Sequence, residues 1–129
     1  MSVKLLLVDD RKENLFALGS LLEELNVAIF KCESGVEALN LMLDHDFALA
    51  IVDVQMPDID GFELAELIRG AEKTKNVPII FITAATENSG FAFKGYESGA
   101  VDFLYKPVDP LVLKSKVQVF MELDTQKRL

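Results

Sequence analysis

Ala48-Leu49-Ala50-Ile51-Val52 is apolar at every position and is closed by an acid, Asp53. A strand with one face in water alternates polar and apolar side chains, so an unbroken apolar run of strand length marks a strand covered on both faces. Lys4–Val8 and Pro78–Ile82 read almost the same way, and Val27–Lys31 and Val101–Leu104 complete a set of five strand-length runs.

Helical patterns fill the intervals. Leu15, Leu18, Leu22 and Leu25 recur at three- and four-residue steps, which predicts one apolar face on a helix near 12–25. Ser34 followed by Glu37 is a capping-box signature for a helix running to about Asp44, and Asp60 with Glu63 repeats it ahead of Leu64, Leu67 and Ile68. Asp109-Pro110 sets an N-cap before a proline at the first helical position. Strands alternating with helices call for a parallel sheet with helices on both faces, joined by right-handed crossovers. Sheets of this kind bind ligands beyond the carboxyl ends of their strands.

That edge collects chemistry. Asp9 and Asp10 follow the first strand, Asp53 closes the third, Thr83 closes the fourth and Lys106 comes just after the fifth. Each alone is ordinary: an Asp at a strand end is usually a cap or turn residue, and Asp10 with Glu13 as partner reads well as the cap of the first helix. Together they are costly, since two like charges about 4 Å apart repel by about 4 kcal/mol at an effective dielectric near 20. A hard divalent cation relieves that repulsion through oxygen ligands, and a carboxylate left beside it can attack phosphorus. Phosphoryl transfer asks chiefly for positioning and charge neutralisation, which Lys106 and the Thr83 hydroxyl are placed to supply.

Length and composition set the frame. The chain has 129 residues, half of them apolar, and a net charge of −8 from 21 acidic and 13 basic side chains. This is one ordinary domain, and its acidity argues against direct nucleic-acid binding, which needs a basic stripe. No apolar run approaches the roughly 20 residues that span a bilayer, so no membrane insertion is expected. One cysteine, Cys32, forms no internal disulfide and fits a cytoplasmic location. Cys32 reads as a small buried side chain and His45, the sole histidine, as a surface residue with no metal cluster around it.

In combination the motifs resemble the response-regulator receiver domains of two-component signalling, including the chemotaxis receivers. The matching pieces are Val8-Asp9-Asp10, Asp53-Val-Gln-Met-Pro-Asp-Ile-Asp-Gly61, Ile82-Thr83-Ala84 and Phe103-Leu-Tyr-Lys106-Pro107, spread in order between about Val3 and Phe120. The resemblance implies a flavodoxin-like doubly wound (βα)5 fold with a five-stranded parallel sheet in the order 2-1-3-4-5. It implies Asp53 as phosphoacceptor, with Asp9, Asp10, Asp53 and the backbone carbonyl of Gln55 holding Mg2+, or Mn2+ in its place. Lys106 would pair with the phosphoryl group, Thr83 and Phe103 would form the switch pair, and the Lys106-Pro107 peptide would be cis. Gln55 and Ala85 stand where they would tune the phosphoryl lifetime.

The same resemblance implies partners. A histidine kinase or phosphotransfer protein would donate the phosphoryl group, and an output domain or protein would read the fourth helix, fifth strand and fifth helix, through which a homodimer is also expected. The chain would catalyse only its own phosphorylation and dephosphorylation. On that face Ser89-Gly-Phe-Ala-Phe-Lys-Gly-Tyr96 carries two glycines that favour mobility, while Phe91, Phe93 and Tyr96 divide between core and partner anchors. Residues 1–122 are expected to form the receiver and 123–129 a helical extension towards an output or kinase module, because the apolar face fades past Phe120. Two alternatives stand behind this reading. One is a phosphorylation-independent interaction module on the same fold. The other is an aspartyl-phosphate phosphohydrolase, which would want an acid where Gln55 stands.

Overall fold

A computed structural model describes residues 3–84 and 91–128, with the side chains of 91–93 and 128 outside the description. The elements alternate as read from sequence: β1 Val3–Val8, α1 Lys12–Leu22, β2 Val27–Cys32, α2 Gly35–Asp44, β3 Leu49–Asp53, α3 Gly61–Arg69, β4 Ile79–Thr83, α4 Phe91–Glu97, β5 Asp102–Tyr105 and α5 Pro110–Arg128. The strands pair in parallel in the order β2-β1-β3-β4-β5. This is the doubly wound flavodoxin-like arrangement, and the reversal of strand order falls between β1 and β3.

Strand alternation divides the core in two. Leu6, Val8, Ala50, Val52, Ile79 and Phe81 pack on one face with Ala38, Met42, Leu64 and Ile68 of α2 and α3. Leu5, Leu7, Leu49, Ile51, Ile80 and Ile82 pack on the other with Leu15 and Leu22 of α1 and Leu113 and Val117 of α5. Neighbouring residues of one strand thus serve opposite cores, which is why the central runs are apolar without interruption. Each of the larger side chains among them contributes roughly 1.5–3 kcal/mol on burial, so the sheet is a firm platform for whatever sits at its edge.

Three caps form as expected. The Ser34 hydroxyl accepts from the Glu37 N–H at 3.2 Å, Asp60 Oδ1 accepts from Glu63 at 2.9 Å, and Asp109 Oδ1 accepts from Leu111 at 2.8 Å. The alternative reading of Asp10 as a cap does not hold. The N-cap of α1 is Arg11, not Asp10, and it provides no side-chain cap; Glu13 instead takes two bonds from the Arg11 guanidinium. Asp10 is thereby left to the strand-end cluster. His45 also departs from its expected surface place. Its ring is half-buried, 4.5 Å from that of Phe30, and Nδ1 accepts from Lys4 Nζ at 3.2 Å. Cys32 is buried as read, and burial pushes its thiol up to about 12.

Candidate functional site

β1 and β3 lie side by side, so the residues at their carboxyl ends meet. One oxygen from each of Asp9, Asp10 and Asp53 lies within 4.8 Å of the others, the arrangement among the described residues that could hold a metal ion. Asp9 and Asp53 are 2% and 7% exposed, while Asp10 sits further out. Burial first, then the Asp9 charge and to a smaller extent Asp10, hold the Asp53 carboxyl up at about 6. The Lys106 ammonium and the Gln55 N–H, which donates to Asp53 Oδ1 at 3.3 Å, pull the other way without cancelling the rise. Asp53 is therefore a carboxylate short of positive charge.

The loop after β3 is shaped by backbone constraints. Gly61 N–H donates to the Val54 carbonyl at 2.9 Å, bringing the start of α3 against the strand end. A Cβ on Gly61 would lie 2.6 Å from the Asp53 carbonyl oxygen and 2.9 Å from Val54 Cα, so the glycine allows this approach. Asp58 turns the chain with φ +64°, in the left-handed region that Asp tolerates. The loop thus folds back and leaves the Asp53 side chain facing its neighbours.

The other candidates arrive on β4 and β5. Thr83 is fully buried at the end of β4, in register with Tyr105, and its carbonyl accepts the Lys106 N–H at 2.8 Å. Lys106 Nζ lies 3.9 Å from Asp9 Oδ2, and the Lys106-Pro107 peptide is cis. Gln55 is exposed beside the cluster, whereas Ala85 falls outside the described residues. Phe103 is not at the cluster. It is buried beneath α4, with its ring 5.6 Å from that of Phe81 and 5.4 Å from that of Tyr105. A Cβ on Gly95 would come within 2.6 Å of that ring. This glycine serves packing: it lets α4 sit down on Phe103. Tyr96 is half exposed on the same helix; the side chains of Phe91 and Phe93 lie outside the described residues.

Two contributors escaped the sequence. Asn14, in the first turn of α1, donates its side-chain amide to Asp9 Oδ1 at 3.3 Å and Oδ2 at 3.1 Å. Arg69, ending α3, donates to the carbonyls of Gly99 at 2.6 Å and Val77 at 2.7 Å, fastening the turns before β5 and β4. The available signals were faint: an asparagine inside a helix with no capping residue, and an arginine before a helix-ending glycine.

The oxygen-only donor set suits a hard cation, which the charge of three carboxylates would attract. Next to the cluster a cavity of about 200 Å3 opens beside Asp9 and Lys106, walled by Asn14, Ala17, Leu18, Leu21, Ile82 and Val108.

Comparisons with known proteins agree with this geometry. The profile of the response regulator receiver domain matches residues 5–118. The transcriptional regulatory protein SrrA of Staphylococcus aureus is 31% identical over 121 residues, 94% of this chain and 48% of that protein. Across similar curated relatives the chain spans between 26% and 57% of their length. The chemotaxis protein CheY4 of Vibrio cholerae superposes with a TM-score of 0.84 at 28% identity, covering 93% of this chain and 99% of that one. The signal receiver domain of a signal transduction histidine kinase from Syntrophus aciditrophicus gives 0.85 at 28% identity, over 94% and 91% of the two chains. With four strand-end motifs on a 2-1-3-4-5 sheet, this chain belongs to the response regulator receiver domains of two-component systems.

Proposed function

We propose that Asp53 accepts a phosphoryl group from the phosphohistidine of a histidine kinase or phosphotransfer protein, and that the chain works as a switch set by that group. The observation that carries the reading is the acidic cluster, whose three oxygens lie within 4.8 Å of one another and close to one lysine. At that spacing each like-charged pair repels by about 3–4 kcal/mol at an effective dielectric near 20. A purely structural corner gains nothing from such repulsion.

In this reading Asp9, Asp10, Asp53 and the Gln55 carbonyl hold Mg2+, with Mn2+ as a substitute. The ion supplies charge neutralisation for the phosphoryl oxygens when bound. A free Asp53 oxygen attacks phosphorus, the P–N bond of the donor breaks, and its electron pair returns to the imidazole. Lys106 pairs with the developing charge and keeps Asp53 ionised, while the Thr83 hydroxyl donates to a phosphoryl oxygen. Water attacking the same phosphorus restores the carboxylate, so the chain turns over only its own modification.

The signal then passes through α4, β5 and α5. Thr83 drawn towards the phosphoryl group favours Phe103 in its buried place under α4, and the shift is limited by the differential affinity of the group for the two states. Tyr96, Val101, Val112 and Val119 are exposed on this face and suit an output partner or a second copy. We read residues 1–122 as the receiver and 123–129 as an extension of α5 towards an output or kinase module. Treatment with hydroxylamine tests the chemistry: an acyl phosphate on Asp53 is cleaved at neutral pH, and peptide mapping places the derivative at that residue. A label that survives, or maps to a serine or threonine, contradicts it.

A further inference from the structure

We propose that Asn14 is the positioning residue of the metal site, a role that rests on the phosphoacceptor reading above. Its amide nitrogen lies 3.3 Å and 3.1 Å from the two oxygens of Asp9. A donor nearly equidistant from both oxygens bridges them and restrains rotation of the carboxylate. Each carboxylate oxygen has a further lone pair to offer. The Arg11 N–H adds a bond to Oδ1 at 2.9 Å, and Lys106 stands 3.9 Å from Oδ2. Asp9 is 2% exposed, so these protein groups replace the water that would otherwise orient it.

Three features separate this role from helix building. Asparagine is a poor residue inside a helix because its side chain competes for the backbone. The cap of α1 offers no side-chain bond at Arg11, yet Asn14 reaches back to the end of β1 and not to the helix terminus. The other α1 residues on the cavity wall, Ala17, Leu18 and Leu21, have no side-chain donor that could take over. Partners that orient a metal ligand typically govern affinity by about 10–100-fold.

The test is ion binding, read apart from phosphorylation. Mn2+ is titrated into the wild type, Asn14→Ala and Asn14→Leu while the free-ion signal is followed by electron paramagnetic resonance, with Mg2+ as competitor. The melting transition of each protein is recorded alongside, and Asn14→Leu retains side-chain volume should the alanine variant lose its cooperative melt. The proposal expects one bound ion in the wild type and affinity about 10-fold weaker in the variants. It also expects phosphorylation by acetyl phosphate to return to within about twofold of wild type at saturating ion, because the deficit lies in binding. Variants that bind Mn2+ as tightly as the wild type overturn the role of Asn14. A wild type that binds no ion overturns the phosphoacceptor reading and Asn14 with it.

Discussion

At the edge where the strands begin, a cleft of about 400 Å3 is lined by His45, Asp46, Lys73, Asp124 and Lys127 over an apolar floor that includes Phe47 and Phe120. At the edge where they end, the cavity is about half that size and holds Asp9, Asn14 and Lys106. Volume alone would choose the first edge. Charge chooses the second. At the first, Lys73 donates to the Met42 carbonyl at 2.8 Å and meets Asp46 at 3.4 Å, and His45 accepts from Lys4. At the second, three carboxylates face one another and Asp53 is held up to about 6, above the ordinary carboxylate range. On the proposed function, an uncompensated electrostatic cost, more than an empty space, distinguishes the working end of this sheet.

The largest test of that contrast exchanges a lysine at each edge. Lys106→Ala is expected to slow phosphorylation by about 100-fold or more, the scale for removing one charge-stabilising donor from a transition state. Lys73→Ala should leave the rate within about twofold, because its neighbours touch no reacting group. Equal losses would erase the distinction between the edges.

A second pair of variants compares two glycines of α3 and its end. Gly61→Ala drives a Cβ to 2.6 Å from the Asp53 carbonyl oxygen. The expected cost is about 1–3 kcal/mol in chemical unfolding, with weakened ion binding as the β3–α3 loop shifts. Gly70→Ala places its Cβ 3.4 Å from the nearest atom, at a backbone φ of −80°. It should be neutral or stabilising by up to about 1 kcal/mol.

The smaller effect concerns pH. An acid whose folded pKa lies near 6, above its ordinary 3.8, binds more protons folded than unfolded between those values. Its contribution to stability is therefore present below the lower value and is lost as pH rises through the upper one. Metal-free Asp53→Asn should match the wild type near pH 4 and exceed it near pH 8, by on the order of 1 kcal/mol. Millimolar Mg2+ should close the gap by stabilising only the wild type. A pH-independent difference would show that Asp53 carries no electrostatic strain.

The fold was legible because its signals are redundant. The apolar runs of β1, β3 and β4, the Ser34, Asp60 and Asp109 caps, and acids at strand ends all point to one topology. The errors arose where a local pattern competed with a tertiary one. Asp10 and Glu13 have capping-box spacing, but Arg11 takes the cap position and Glu13 pairs with its guanidinium. His45 looked like a helix-end surface residue, yet Lys4 and Phe30, distant in sequence, enclose it. Gly95 reads in sequence as a weak helix residue, and its packing role, seating α4 on Phe103, has no sequence signal. Asn14 and Arg69 carry only faint local signals; their roles exist once a strand end and two turns are brought to them.

The central claim is that Asp53 is a metal-dependent phosphoacceptor, and intact-mass spectrometry tests it most directly. The wild type and Asp53→Asn are mixed with acetyl phosphate, with and without Mg2+. The account predicts a mass gain of one phosphoryl group in the wild type only, and only with the metal. A folded wild type that gains no mass under excess donor and metal, or an Asp53→Asn variant that gains it equally, would contradict the account.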